Sequence, residues 1–131
     1  MSIALPESRP DLAAHEHAMR APFADVVREL RDILGPRLVA YVGNVKETRA
    51  VHEWADGERV PRESTRQRLR LALQIALVIA DADGAEITQA WFQGLNPQLE
   101  DRSPARLLRE GELDEVGPAV IAAARAFLVG G

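Results

Sequence analysis

Val51-His52-Glu53-Trp54-Ala55-Asp56-Gly57-Glu58-Arg59-Val60-Pro61 is the stretch on which the reading of this chain turns. Val51 and Trp54 are three apart, which puts both on one face of a helix, and Gly57 followed by Pro61 is a helix stop. Such spacing serves a core as readily as a binding helix. Upstream, Glu47 or Thr48 opens that helix after a turn at Asn44-Val45-Lys46. An earlier helix runs from Pro36, through Leu38, Val39, Tyr41 and Val42, to Gly43. Phe23, Val26, Val27, Leu30, Ile33 and Leu34 recur at steps of three and four, so Phe23 to Leu34 is a helix with one buried face, opened by Pro22 and closed by Gly35. A shorter helix is capped by Asp11 and ends near Met19 or Arg20. Residues 1–10, with two Pro, two Ser and no periodicity, are expected to form a flexible arm.

Downstream, Leu69, Leu71, Leu73, Ile75, Ala76, Leu77, Val78 and Ile79 mark the longest helix, begun at or just before Ser64 and ended at Asp81-Ala82-Asp83-Gly84. It is apolar almost all round and is therefore expected at the centre. Glu86 to Phe92 is a short helix closed by Gly94 and Asn96-Pro97. Ser103-Pro104, a capping hydroxyl before Pro at the first helical position, launches Ala105 to Arg109. The last helix runs from about Asp114 to Leu128, or only from Pro118, because Gly117-Pro118 interrupts its start. No alternating strand is found, so the expected class is all-α, with an arm at 1–10, a helical domain at 11–82 and a second at 83–131.

A chain of 131 residues buries roughly two-thirds of its unfolded surface, enough for a real core. No run approaches the ~20 apolar residues of a membrane span, and Met1 to Glu7 lack the basic start and apolar run of a signal peptide, so a cytoplasmic protein without membrane contact is expected. The absence of cysteine removes disulfides, thiol nucleophiles and thiolate metal sites. His15 and His17 lie on opposing faces of one helix and His52 stands alone, which gives no zinc spacing. The glycines sit singly at helix ends, and the serines are explained by helix starts or the arm. No catalytic residue, metal or cofactor is expected, and the chain is not read as an enzyme.

The net charge of −4 argues against a general coat for nucleic acid. The charge is nevertheless segregated: Arg37 to Arg70 carries eight Lys/Arg against five acids, and Asp81 to Gly131 nine acids against four Arg. Two surfaces with different partners follow. In the basic part, a packed helix, a turn and a second helix have the order of a helix-turn-helix, whose second helix offers its first polar residues to base edges. DNA contacts would come from Lys46, Thr48, Arg49 and His52, with Arg59, Arg62 and Arg66 along the backbone. Glu47 and Glu53 oppose this by bringing negative charge near phosphates.

The acidic part contains Ile87-Thr88-Gln89-Ala90-Trp91-Phe92-Gln93-Gly94-Leu95-Asn96-Pro97-Gln98-Leu99 and Arg102-Ser103-Pro104-Ala105-Arg106-Leu107-Leu108-Arg109-Glu110-Gly111. Trp91 and Phe92 are adjacent, so at least one must leave the local core and pack on a neighbouring helix or another subunit. Asn96-Pro97 makes a sharp exit and Ser103-Pro104 a sharp entry. Trp91-Phe92, Asn96-Pro97 with Leu99, and Arg102-Ser103-Pro104 with Leu107-Leu108 and Gly111 resemble the C-terminal domain of Xre/MbcA/ParS-type antitoxins, partners of RES-domain toxins. Val51, Trp54, Gly57 and Pro61 match that family's upstream helix-turn-helix.

The resemblance implies an antitoxin of a type II toxin–antitoxin system that binds a cognate RES-domain toxin, an NAD-consuming enzyme, and occludes its active site. Its implied toxin-binding residues are Trp91, Arg102 and Arg106, with Arg125, Phe127, Leu128, Val129, Gly130 and Gly131 at the end of the chain. It also implies a homodimer that binds its own promoter DNA. Two extra residues between Gly43 and Trp54 depart from the usual turn, which weakens the promoter reading. The residues alone leave open a helix-turn-helix regulator with no toxin partner.

Overall fold

Eight helices and one 3₁₀ turn account for most of the computed structural model, which describes residues 10–130. Residues 1–9 of the arm expected at 1–10, and the terminal Gly131, lie outside the described residues. The class is all-α: α1 (Pro10–Arg20), α2 (Phe23–Leu34), α3 (Pro36–Val42), α4 (Thr48–Ala55), α5 (Glu63–Asp83), α6 (Ala85–Gln93), α7 (Pro104–Glu110) and α8 (Leu113–Gly130), with the 3₁₀ turn at Pro97–Leu99. Pro10 already belongs to α1, one residue before the expected start. Among the described residues no helix is long and apolar enough to cross a membrane.

α5 spans 21 residues, about 31 Å at 1.5 Å per residue. It packs against α1, α2, α3, α6, α7 and α8, so the helix expected at the centre is there. Leu69, Ala72, Leu73, Ile75, Ala76 and Ile79 of α5 are buried together with Val26, Val27 and Leu30 of α2, Val39 and Val42 of α3, and Val51 and Trp54 of α4. The same contiguous core takes in Phe92, Leu99, Leu108 and Val120, so the residues either side of Gly84 share it. Burying each large side chain contributes about 1.5–3 kcal/mol, which is what holds helices of seven or eight residues that would not persist alone in water.

A second device secures the short helices. The last carbonyls of a helix have no partner within it. Here long side chains from other helices supply one: Arg70 Nη1 donates to the carbonyls of Ala18 (2.9 Å) and Ala21 (2.7 Å) at the end of α1. Gln89 Nε2 donates to Ile33 of α2 (2.8 Å), Arg109 Nη1 to Tyr41 of α3 (2.8 Å), and Arg28 Nη1 to Ala55 of α4. Arg68 Nη1 closes α7 through the carbonyls of Leu108, Arg109 (3.1 Å) and Gly111 (3.3 Å). A cation at a helix C-terminus also meets the negative end of its dipole. Burial lowers the Arg68 pKa, and Glu112 opposes that shift.

α8 begins at Leu113, one residue before the expected Asp114, and carries Pro118 inside it, so the alternative start at Pro118 does not hold. Pro118 cannot donate to the carbonyl of Asp114, but Asp114 is exposed and water can take that place. Leu113, Val116 and Val120 pack on the core, and the buried Gly117 lets α8 approach Leu71 of α5, where a Cβ would stand 3.3 Å from Leu71 Cδ2. That stripe outweighs the lost hydrogen bond.

Candidate binding surfaces

α3 and α4 are joined by a turn that closes itself. Asn44 takes φ 60°, its N–H donates to Tyr41 O (3.1 Å), and Val45 N–H donates to Ala40 O (3.0 Å). This is the left-handed helix ending with Asn in the place usually held by Gly, and Val45 tucks against the core. Val51 and Trp54 are core residues of α4. The Trp54 indole lies 6.5 Å from the Phe23 ring and against Gly43, where a Cβ would be 3.2 Å from Trp54 Cζ3. Gly43 is therefore a space requirement of the indole.

Lys46, Arg49 and His52 are exposed around the start of α4, and Thr48 is half-buried as its first residue. They are not equally free. Arg49 Nε donates to Glu53 Oε2 (3.2 Å) and Arg59 Nη1 to Glu53 Oε1 (3.0 Å). The Arg59 hydrogen bond is the main cause that holds the Glu53 carboxyl below its ordinary pKa; lost solvation works against it and Arg49 adds to it. Arg31 Nη1 donates to His52 Nδ1 (2.9 Å), which leaves the ring proton on Nε2, because a guanidinium has nothing to accept with. Arg62 is exposed just before α5, whereas Arg66 Nη1 is turned onto Pro61 O. Sequence reasoning missed Arg37 and Arg109. Both line a hollow of about 330 Å³ with Tyr41, Lys46 and Thr48. Arg109 stacks 4.6 Å over the Tyr41 ring, from 68 positions away in the chain, and no local signal foretells that contact.

The second surface is a groove of about 590 Å³ between α6, the 3₁₀ turn and α8, walled by Ile87, Ala90, Trp91, Leu95, Pro97 and Phe127. Trp91 and Phe92 are both buried, and the side chain that leaves the α6 core is Trp91. It meets Phe92 edge-on at 5.4 Å and Phe127 of α8 at 6.3 Å. Trp91 Nε1 is buried without a partner among the described residues. Leu95, 76% exposed, stands at the rim. Ile87 and Leu95 were in the quoted motif, but one apolar residue in a helix and one at a turn did not stand out.

The turn that shapes this groove is wound on Asn96. Its Oδ1 accepts from Gln98 N (2.9 Å), its N–H donates to Arg102 O (3.2 Å), and its O accepts from Asp101 N (2.9 Å). Glu100 and Asp101 are both left-handed, with φ 57° and 62°. Ser103 Oγ then caps α7 by accepting from Arg106 N (3.1 Å). The three arginines expected to meet a partner are each paired: Arg102 with Glu100 (3.1 Å), Arg106 with Glu110 (3.2 Å) and Arg125 with Asp11 (3.3 Å). Phe127 and Leu128 are half-buried, Phe127 on Trp91 and Leu128 in a crevice with Val78 of α5 and Ile121 of α8. Of the described residues after Leu128, Val129, 90% exposed, and Gly130 project, and both are still helical.

An all-helical core carrying a cationic helix pair on one part and an apolar groove on another belongs to the class of small binding proteins. No protein-family model matches the chain. It is 31% identical over 90 residues to the mycobacterial cidal antitoxin MbcA of Mycobacterium bovis and of Mycobacterium tuberculosis, an alignment that covers 67% of this chain and 80% of those proteins. The chain belongs to the MbcA antitoxin family. Among solved structures, the crystal structure of the M. tuberculosis MbcT–MbcA toxin–antitoxin complex matches with a TM-score of 0.67 and 27% identity, covering 84% of this chain and 96% of that one.

Proposed function

We propose that this chain is the antitoxin of a type II toxin–antitoxin system, and that it binds and neutralises a RES-domain, NAD-consuming toxin by occluding the toxin's active site. The observation that carries the reading is the likeness to an antitoxin chain solved in complex with its toxin, over nearly the whole of that chain. The chain acts by contact and not by catalysis, in the cytoplasm where such a toxin works.

The groove walled by Trp91 and Phe127 supports the reading, because a concave apolar surface with exposed Ile87 and Leu95 is one a protein partner gains by covering. Arg102, Arg106 and Arg125 would exchange their present carboxylates for the partner's. Phe127 and Leu128 would shape the end of α8 from within, while Val129, Gly130 and Gly131 enter the cleft. Residues 83–131 would thus carry the toxin surface and 11–82 a DNA surface, with which a homodimer represses its own operon through Lys46, Thr48, Arg49, His52, Arg62 and Arg66. Co-expression tests the first claim: cells making the neighbouring RES protein should survive only when this chain is made with it. Continued toxicity in the presence of the soluble, folded chain defeats it.

A further inference from the structure

We infer that the hollow between α3, α4 and α7 is a phosphate site that grips the DNA backbone beside α4, with Arg37, Lys46 and Arg109 as its cations. The inference rests on the proposal that α4 meets DNA. The hollow is lined by Arg37, Ala40, Tyr41, Val45, Lys46, Thr48 and Arg109, with no acid among them.

Elsewhere on the described surface the exposed arginines other than Arg62 are neutralised. Arg20, Arg28, Arg49, Arg59, Arg102, Arg106 and Arg125 each lie within 4.0 Å of a carboxylate. Arg37, Lys46 and Arg109 form no ion pair with any described residue, although the chain holds 20 acids to 16 Lys and Arg. Three like charges left together around one concavity repel one another, and an anion seated there relieves that repulsion. Glu47 and Glu110 are the nearest acids in sequence; Glu47 lines the adjoining hollow with Arg49, Glu53 and Arg59, and Glu110 is paired with Arg106.

The geometry also favours an anion held by a fork. Arg109 is fixed by its stack on Tyr41 and its bond to the Tyr41 carbonyl, so its guanidinium loses little freedom when a phosphate arrives. Thr48 adds a hydroxyl at the point where α4 begins. Backbone phosphates flank any helix that enters a major groove, and contacts to them set register without reading sequence. Arg109 comes from α7, so the grip joins α7 to the helix pair that it already braces.

The test compares the wild type with Arg37→Gln/Lys46→Gln, using fluorescence anisotropy across a salt series. The probes are the duplex upstream of the chain's own reading frame and a scrambled duplex of equal length. Both side chains are exposed without partners among the described residues and the substitutions relieve their mutual repulsion, so the melting temperature should not fall. The slope of log K against log salt should fall by about 2, and both duplexes should weaken by the same factor. An unchanged slope with wild-type binding intact removes this site, and Lys46 with it, and leaves the DNA reading of α4 to Thr48, Arg49 and His52. Weakening confined to the upstream duplex also overturns it, since that would be base reading. A wild type that binds neither duplex at low salt ends both claims.

Discussion

Adding one methyl group at Gly111 should destabilise the whole protein. The Cβ of Gly111→Ala would stand 2.4 Å from Val116 Cγ1, 3.1 Å from Val116 Cγ2 and 2.9 Å from Leu107 O. Carbon atoms in contact normally sit about 3.5–4.0 Å apart, so the first overlap exceeds 1 Å. Val116 is stiff at χ1 and Leu107 O is backbone, so the relief must come from moving the start of α8 away from the end of α7. Overpacking of this kind costs about 1–3 kcal/mol. Gly111 has φ −89° and ψ 164°, which alanine adopts without strain, so the loss of a flexible unfolded residue returns about 0.4–1 kcal/mol. The net is about 1–2 kcal/mol, or a Tm lower by about 3–10 °C for a chain of this size. Thermal unfolding by circular dichroism reads it, and Val116→Ala supplies the control. In that background the cost of Gly111→Ala should shrink by about 1 kcal/mol, with the Leu107 clash remaining. A Tm for Gly111→Ala equal to or above the wild type refutes the steric account, and absence of coupling to Val116 refutes its named partner.

Trp54→Ala empties a buried site against Phe23 and Gly43 and should cost about 3–5 kcal/mol in denaturant unfolding. For Glu53, the folded pKa lies below the ordinary value, so its contribution is present above the carboxylate range and fades as pH falls through the folded value. The Tm gap between wild type and Glu53→Gln should therefore narrow on acidification, and a gap constant between about pH 6 and about pH 3 would contradict the pairing. Removing Val129 to Gly131 should leave the melting curve in place while releasing the toxin in co-expression; retained protection would exclude occlusion by the tail. A cut placed two residues earlier would confuse that result, because Phe127 packs on Trp91.

The helix ends were legible because their signals are local. Gly35, Gly43, Gly57, Gly84, Gly94 and Gly111, with Pro22, Pro36, Ser103 and Pro104, mark boundaries that the structure places within a residue or two. The start of α8 was legible only as a choice between Asp114 and Pro118, because Pro118 favours a helix start until Leu113, Val116 and Gly117 find partners on other helices. The charge of the middle segment misled in a similar way. Arg66, Arg68 and Arg70 counted toward a basic surface, yet their guanidinium groups end on carbonyls. A sequence shows the charge but not what lies 40 or 52 residues away to receive it. The groove was half legible: Trp91 stood out by its neighbour Phe92, whereas Phe127 became its opposite wall only through the packing of α8.

The arginine and glutamine braces bear on how such a chain can be taken apart or transplanted. Severing it at Gly84 would strip Gln89 from Ile33, Arg109 from Tyr41 and Arg68 from Leu108 in a single cut. Each fragment would be left with open carbonyls and half a core. A C-terminal part borrowed to give another relative a new partner would have to travel with its hosts in α2, α3 and α5. Exchange of partner specificity within this architecture is therefore easier by changing residues around the groove than by swapping segments.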